Sequence, residues 1–261
     1  MIKKIIIFTL LILFFSALSV KLQTTAASAA QDEELLIILD YSASMNKKLN
    51  DKTRARYVLL ALHSALANLP RETKIGLRVF GPDENYKSLM PGDKHTSHDC
   101  KASYLRAPIK SNNKTYISDR LSEYTYPFGQ TPIEYSLREA INNDFSKSGC
   151  IKHIILISGG TDPCGGNPCN YIQQILQNGH DIIIDTISIA DSNGSYGDLS
   201  CLPRLTSGRY KIVKTENDIQ LSFQSFIKTT SQNIKTVVKE PVFTSEDDDI
   251  KYNNYLFEID Y

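Results

Sequence analysis

The chain has 261 residues, in which 29 lysines and arginines balance 29 aspartates and glutamates. No basic excess points to nucleic acid, and no acidic excess points to a solvating tail protein. The length suits one large α/β domain and is short for two.

The first thirty residues read as a secretory signal peptide. Lys3 and Lys4 precede an uncharged run from Ile5 to Val20, and small residues follow up to Ala26-Ala27-Ser28-Ala29-Ala30. That is a charged n-region, an apolar h-region and a small-residue cleavage site. The run is shorter than the roughly 20 residues of a membrane-spanning helix, which leaves an uncleaved anchor as the alternative. No second long apolar run occurs, so the mature chain is expected without a membrane span, in the periplasm, at the cell surface or secreted.

Leu35 to Leu39 form a continuous apolar strand that runs into Asp40. Such a run suits a strand covered on both faces, as in a parallel α/β sheet. Arg54 to Leu69 carries Val58, Leu62, Leu66 and Leu69 at helical spacing and stops at Pro70. Lys74 to Phe80 alternates as a strand closed by Gly81-Pro82, and 90–100 is a polar loop. Ala102 to Ile109 predicts a strand, antiparallel to its neighbour, and Tyr116 to Tyr124 a short helix. Gly129-Gln130-Thr131-Pro132 introduces a helix to about Phe145, with Thr131 as N-cap and Pro132 in the first turn.

Ile151 to Ile157 is a second apolar strand, ending at Ser158-Gly159-Gly160. A helix marked by Ile172, Ile175 and Leu176 ends at Gly179. Asp181 to Ile189 is a third apolar strand, Leu199 to Leu205 a short helix, and Arg209 to Val213 a final strand. Ile219, Phe223, Phe226 and Ile227 line one face of the last helix. From about Val237 the periodicity stops and an acidic run, Glu246 to Asp249, marks a C-terminal extension over 237–261. Strands alternating with helices predict a doubly wound, Rossmann-like α/β fold. Its sheet would be mostly parallel, with one antiparallel edge strand and helices on both faces.

Open α/β sheets bind ligands at the carboxyl ends of their strands. Asp40, Ser42 and Ser44 stand at such an end and offer three oxygens of the kind a hard divalent cation takes. A turn explains the same residues, since Asp and Ser are common there.

Asp40, Ser42 and Ser44 (D-x-S-x-S), Gly129-Gln130-Thr131-Pro132, and Ile154 to Gly160 (I-I-L-I-S-G-G) together resemble the von Willebrand factor type A domain with its metal-ion-dependent adhesion site. The likeness runs from about Glu34 to Ile227, within a domain placed at 31–236. Gly76 to Gly81 and Cys164 to Cys169 look like a secreted bacterial branch of that family. The resemblance implies Mg²⁺ or Mn²⁺ held by Asp40, Ser42, Ser44 and Thr131, with Asp or Glu of a protein partner completing the shell. One position departs: Gly159 stands where the family usually carries a second metal-site Asp. A single carboxylate then neutralises half the ion's charge, so binding is expected to be weakened rather than abolished. Asp162, three residues on, is a possible substitute ligand, as is water.

These hydroxyls lack a general base at a recognisable spacing, and no phosphate-binding Gly loop or G-x-S-x-G elbow occurs. The function implied is non-enzymatic, metal-dependent protein binding in adhesion or assembly. A metal-independent scaffold is the alternative that Gly159 motivates, and an envelope hydrolase the remote one.

Five cysteines in an exported chain suggest two disulfides and one thiol. Cys100, Cys164, Cys169 and Cys201 fall on the rim of the metal residues and Cys150 on the opposite one, which makes Cys150 the free thiol or one that pairs between molecules. A local Cys164–Cys169 bridge is favoured, with Cys100–Cys201 as the second pair. His95, His98, Asp99 and Cys100 have zinc-ligand chemistry, but an oxidised Cys100 offers no thiolate, so a polar loop is preferred. Structural roles are expected for His63, His153 and His180, and a βα turn for Asp191 to Gly194.

Overall fold

The computed structural model describes residues 32–82, 99–146, 149–194 and 196–233. The segment expected to be a signal peptide, His95 and His98, and the extension expected from 237 lie outside the described residues.

Strand β1 (Asp32–Asp40) is followed by a 3-10 turn over Ala43–Asn46 and a small hairpin, β2 (Lys48–Leu49) with β3 (Lys52–Thr53). Helix α1 (Arg54–Ala67) starts where Thr53 Oγ1 accepts the Arg56 N–H at 3.2 Å, an N-cap. Then come β4 (Lys74–Phe80), β5 (Ser103–Lys110), α2 (Lys114–Ser122) and α3 (Ile133–Glu139), which continues as a π turn over Ala140–Asp144. The remaining elements are β6 (Cys150–Ser158), α4 (Pro168–Gln177), β7 (Ile182–Ile189), α5 (Cys201–Thr206), β8 (Tyr210–Val213) and α6 (Glu216–Asn233). Each predicted strand and helix forms, with ends shifted by a few residues. One detail differs: Pro132, not Thr131, holds the N-cap of α3, and no side chain caps it.

The main sheet has six strands in the order β5-β4-β1-β6-β7-β8. All neighbours are parallel except β4 and β5. Pro108 is tolerated in β5 because an edge strand has one side free of ladder bonds. Alternate β1 residues divide the core. Leu35, Ile37 and Leu39 pack with apolar residues of α1, α2 and α6. Leu36 and Ile38 face those of α3, α4 and α5. Burial on both faces explains the unbroken apolar run, since each such side chain contributes about 1.5–3 kcal/mol when removed from water.

A charged cluster is buried under α6, away from the carboxyl ends of the strands. His153 of β6, fully buried, lies with Nδ1 2.7 Å from Glu33 Oε1 and Nε2 3.0 Å from Asp185 Oδ2. Arg209 joins it through Nη2 to Asp185 Oδ2 at 2.5 Å, and donates to the carbonyls of Ser225 and Phe226 at 2.9 and 2.5 Å. Burial alone would lower the imidazole pKa, but the hydrogen bonds and charges of Asp185 and Glu33 outweigh it and raise the pKa above 6.5. Burial likewise opposes the Asp185 carboxylate, and its bonds to His153 and Arg209 prevail and lower its pKa. His153 is thus structural, as its sequence position suggested.

Two disulfides lie on the rim at the carboxyl ends of the parallel strands. They are Cys100–Cys164 and Cys169–Cys201, with Cα–Cα distances of 5.6 and 5.8 Å, and Cys150 is a free thiol. The rim assignment holds and the pairing is corrected. Cys164 lies in a turn where its N–H donates to Asp162 Oδ1 at 3.0 Å. Cys169 already belongs to the first turn of α4, beside the start of α5 at Cys201. The bridges span 64 and 32 residues. Closing such loops in the unfolded chain is worth about 4 kcal/mol each on a chain-entropy account.

Peptide mapping of the oxidised protein is expected to return these two pairs and alkylation of Cys150 alone; a Cys164–Cys169 peptide would contradict the structure. A second expectation concerns pH. Folding raises the His153 pKa, so its contribution to stability is complete below about 6.5 and fades as pH climbs through the raised value. Thermal melts of wild type and His153→Gln should therefore differ most near about pH 5.5 and converge in alkali. A gap in melting temperature that stays constant across this range would count against the ionised cluster.

Candidate metal centre

Strands β1 and β6 are neighbours whose chains leave in opposite directions, β1 through α1 to β4 and β6 through α4 to β7. That divergence opens a crevice above their ends, the place where open α/β sheets receive ligands. Asp40, the last residue of β1, and Ser158, the last of β6, face each other across it. Ser158 Oγ donates to Asp40 Oδ2 at 2.6 Å. The Gly159 N–H donates to the same oxygen at 3.2 Å, and the Ser42 N–H to Oδ1 at 2.8 Å. The carboxyl is wholly buried, which pushes its pKa above the usual carboxylate range, and the bonds from Ser158, Ser42 and Gly159 pull it part of the way back.

Ser42 and Ser44 follow on the 3-10 turn, with their Oγ atoms 3.1 Å apart. Thr131 Oγ1 donates to Ser42 Oγ at 2.9 Å, so the hydroxyl expected to cap α3 is directed at the β1 loop instead. Backbone bonds bring the two loops together: the Phe128 N–H donates to Tyr41 O and the Ala43 N–H to Gly129 O, each at 3.1 Å. Two glycines permit this approach. Gly129 has φ +85°, and a Cβ there would stand 1.9 Å from Gly81 O. Gly81 has φ +110°, and its Cβ would meet the Ser42 nitrogen at 2.6 Å. Any L side chain would push the loops apart.

The cluster's spacing fits a small divalent cation. Magnesium demands octahedral oxygens at about 2.1 Å, whose neighbouring ligands lie about 3.0 Å apart. The hydroxyl separations of 2.9 and 3.1 Å match that edge. Asp40 and Ser42 are fully buried, Thr131 is buried, and Ser44 is half-buried at the mouth. Among the described residues no group of three or more His, Cys, Asp or Glu side chains forms a metal site, so an ion here would rely on hydroxyls and one carboxylate.

Asp162 has another task. Its Oδ2 accepts the Glu134 N–H at 2.8 Å and its Oδ1 the Cys164 N–H at 3.0 Å. A negative charge at the first turn of α3 suits the helix dipole. Glu134 in turn accepts the Asn167 N–H at 2.6 Å, linking the loop to α4. Two contributors escaped the sequence reading. Ser158 was legible as the hydroxyl preceding Gly159 in the third motif. Arg54, whose Nη1 donates to Gly159 O at 2.8 Å, carried no local signal beyond its place at the start of an amphipathic helix.

Comparison with known proteins agrees with this architecture. The family model of the von Willebrand factor type A domain matches residues 33–212. The uncharacterized Bacillus subtilis (strain 168) protein YwmC is 24 % identical over 188 residues, which is 72 % of this chain and 79 % of its own. The pilus adhesin SpaC from Lactobacillus rhamnosus GG superposes with a TM-score of 0.55 at 14 % identity, over 78 % of this chain and 31 % of that one. Proximal thread matrix protein 1 from the mussel byssus, solved with a zinc-occupied MIDAS motif, gives 0.54 at 14 % identity, over 77 % and 46 %. At such identities the two structures speak for the fold alone. A match over residues 33–212 covers more than half the chain, and this protein belongs to the von Willebrand factor type A domain family.

Proposed function

We propose that this protein is an exported, non-enzymatic binding module of the cell envelope or extracellular space, in which Asp40, Ser42, Ser44 and Thr131 hold Mg²⁺ or Mn²⁺. The ion would supply an electrophilic position for an Asp or Glu side chain of a protein partner. The observation that carries this reading is the set of hydroxyl oxygens 2.9 and 3.1 Å apart above a buried carboxylate. Asp40 orients the cluster through the Ser42 N–H and lends the negative charge. Ser42 and Thr131 draw the two loops into one shell, and Ser44 sits at its open side. Asp162 is left out of the ligand set because its hydrogen bonds run to the Glu134 and Cys164 N–H groups and none reaches Ser42, Ser44 or Thr131.

Hydrogen bonds of the hydroxyls to one another, rather than to an imidazole or amine that would take a proton, support binding over hydrolysis. Export is supported by the N-terminal pattern and by two disulfides, which persist in oxidising compartments. A metal-independent scaffold is the second reading, favoured by the missing acid at Gly159.

Calorimetry in acetate buffer, with Mg²⁺ or Mn²⁺ carried into the millimolar range, distinguishes the two. Binding is expected for wild type and at least about tenfold weaker for Asp40→Ala, about 1.4 kcal/mol. Gly129→Ala should weaken it too, by displacing Thr131. Flat titrations for wild type and variant alike would favour the scaffold. Capture from envelope material should yield a partner that EDTA releases.

A further inference from the structure

A guanidinium stands beside the oxygen cluster where a second acid would project. Arg54, the first residue of α1, is 1 % exposed, and its Nη1 bonds the Gly159 carbonyl at 2.8 Å. A Cβ added to Gly159 would lie 2.9 Å from that nitrogen, 3.1 Å from Arg54 Cδ and 3.0 Å from Met45 Sδ. The N–H of the same glycine donates to Asp40 Oδ2 at 3.2 Å, so one residue connects the buried cation with the buried carboxylate. Asp191 Oδ2 lies 3.9 Å from Arg54 Nη2 and 3.8 Å from Lys47 Nζ, so its charge is shared between two cations.

We propose that Arg54 makes retention of the divalent ion depend on simultaneous binding of an anionic group; this rests on Asp40, Ser42, Ser44 and Thr131 being the ion site. Arg54 acts on two carboxylates, Asp191 more than Asp40, and together with Lys47 these four charges cancel; a guanidinium stays protonated in proteins. A dication entering the cluster then meets almost no net negative charge and is repelled by a cation that solvent hardly screens. A carboxylate from the partner supplies the missing charge. Coupling between two ligands is reciprocal, so the acid binds as much better with the ion as the ion does with the acid. Neither is held firmly alone. Gly159 and Arg54 form a matched pair, because any side chain at 159 enters the space that the arginine fills.

Mn²⁺ is the probe, with free ion followed by electron paramagnetic resonance and acetate standing in for the acidic side chain, on the full oxidised chain. Saturating acetate is expected to tighten Mn²⁺ binding to wild type at least about tenfold. Arg54→Met should bind Mn²⁺ alone at least about tenfold tighter than wild type and gain less from acetate. Arg54→Lys, which keeps the charge, should resemble wild type, and Asp40→Ala should abolish binding in every background. Arg54→Met matching wild type in both measurements, while Asp40→Ala still abolishes binding, would overturn the role of Arg54 and leave the ion site standing. Absence of Asp40-dependent Mn²⁺ binding in wild type and Arg54→Met, with and without acetate, would overturn the ion site itself. If Arg54→Met loses the wild-type circular dichroism, the wild-type comparison decides alone, and no gain from acetate overturns the proposal.

Discussion

The carboxylate of Asp40 ends the central strand entirely out of water, and the arrangement around it follows from that burial. A charge removed from solvent is costly unless neighbouring groups replace the lost hydration. Here the replacement comes from three directions: the Ser42 N–H of the following turn, the Ser158 hydroxyl at the end of β6, and the Gly159 N–H just beyond. These bonds fix how the β1 turn leaves the sheet, and so where Ser42 and Ser44 point. The Gly129 loop then docks against that turn through main-chain bonds to Tyr41 and Ala43. Removing the carboxylate would release the organising contact of two loops as well as one oxygen.

The fold was legible because its signals are local. The Leu35 to Leu39 run, the helical stripe of Val58, Leu62 and Leu66, and the Pro and Gly stops each express a period or a breaker within a few residues. The D-x-S-x-S motif was legible for the same reason, since its three residues lie together at the end of β1 and the start of the turn that follows. What sequence could not give was partnership between distant segments. Thr131 has the residue type of an N-cap and the position of one. Only the approach of the Gly81 and Gly129 backbones explains why its hydroxyl turns to Ser42.

The cysteines show the same limit. Counting and topology placed four of them on one rim and Cys150 on the other, because strand direction decides that much. Pairing depended on a finer matter. Cys169 rides on the first turn of α4 while Cys164 remains in the Asp162 turn, so five residues of separation did not make them neighbours in the sense a bridge requires. Arg54 is the sharper case. Its burial is comprehensible beside Gly159, 105 positions away in sequence, and the still more distant Asp191.

Both covalent bridges lie on the upper rim, one between a loop and the approach to β5 and one between the starts of α4 and α5, and neither crosses the two apolar layers. The bridges therefore restrain the geometry of one rim, while the sheet is held by its apolar packing. Without them the rim lacks the two staples that hold the β5, α4 and α5 approaches in place. The geometry of that rim is thus tied to the oxidation state of four cysteines.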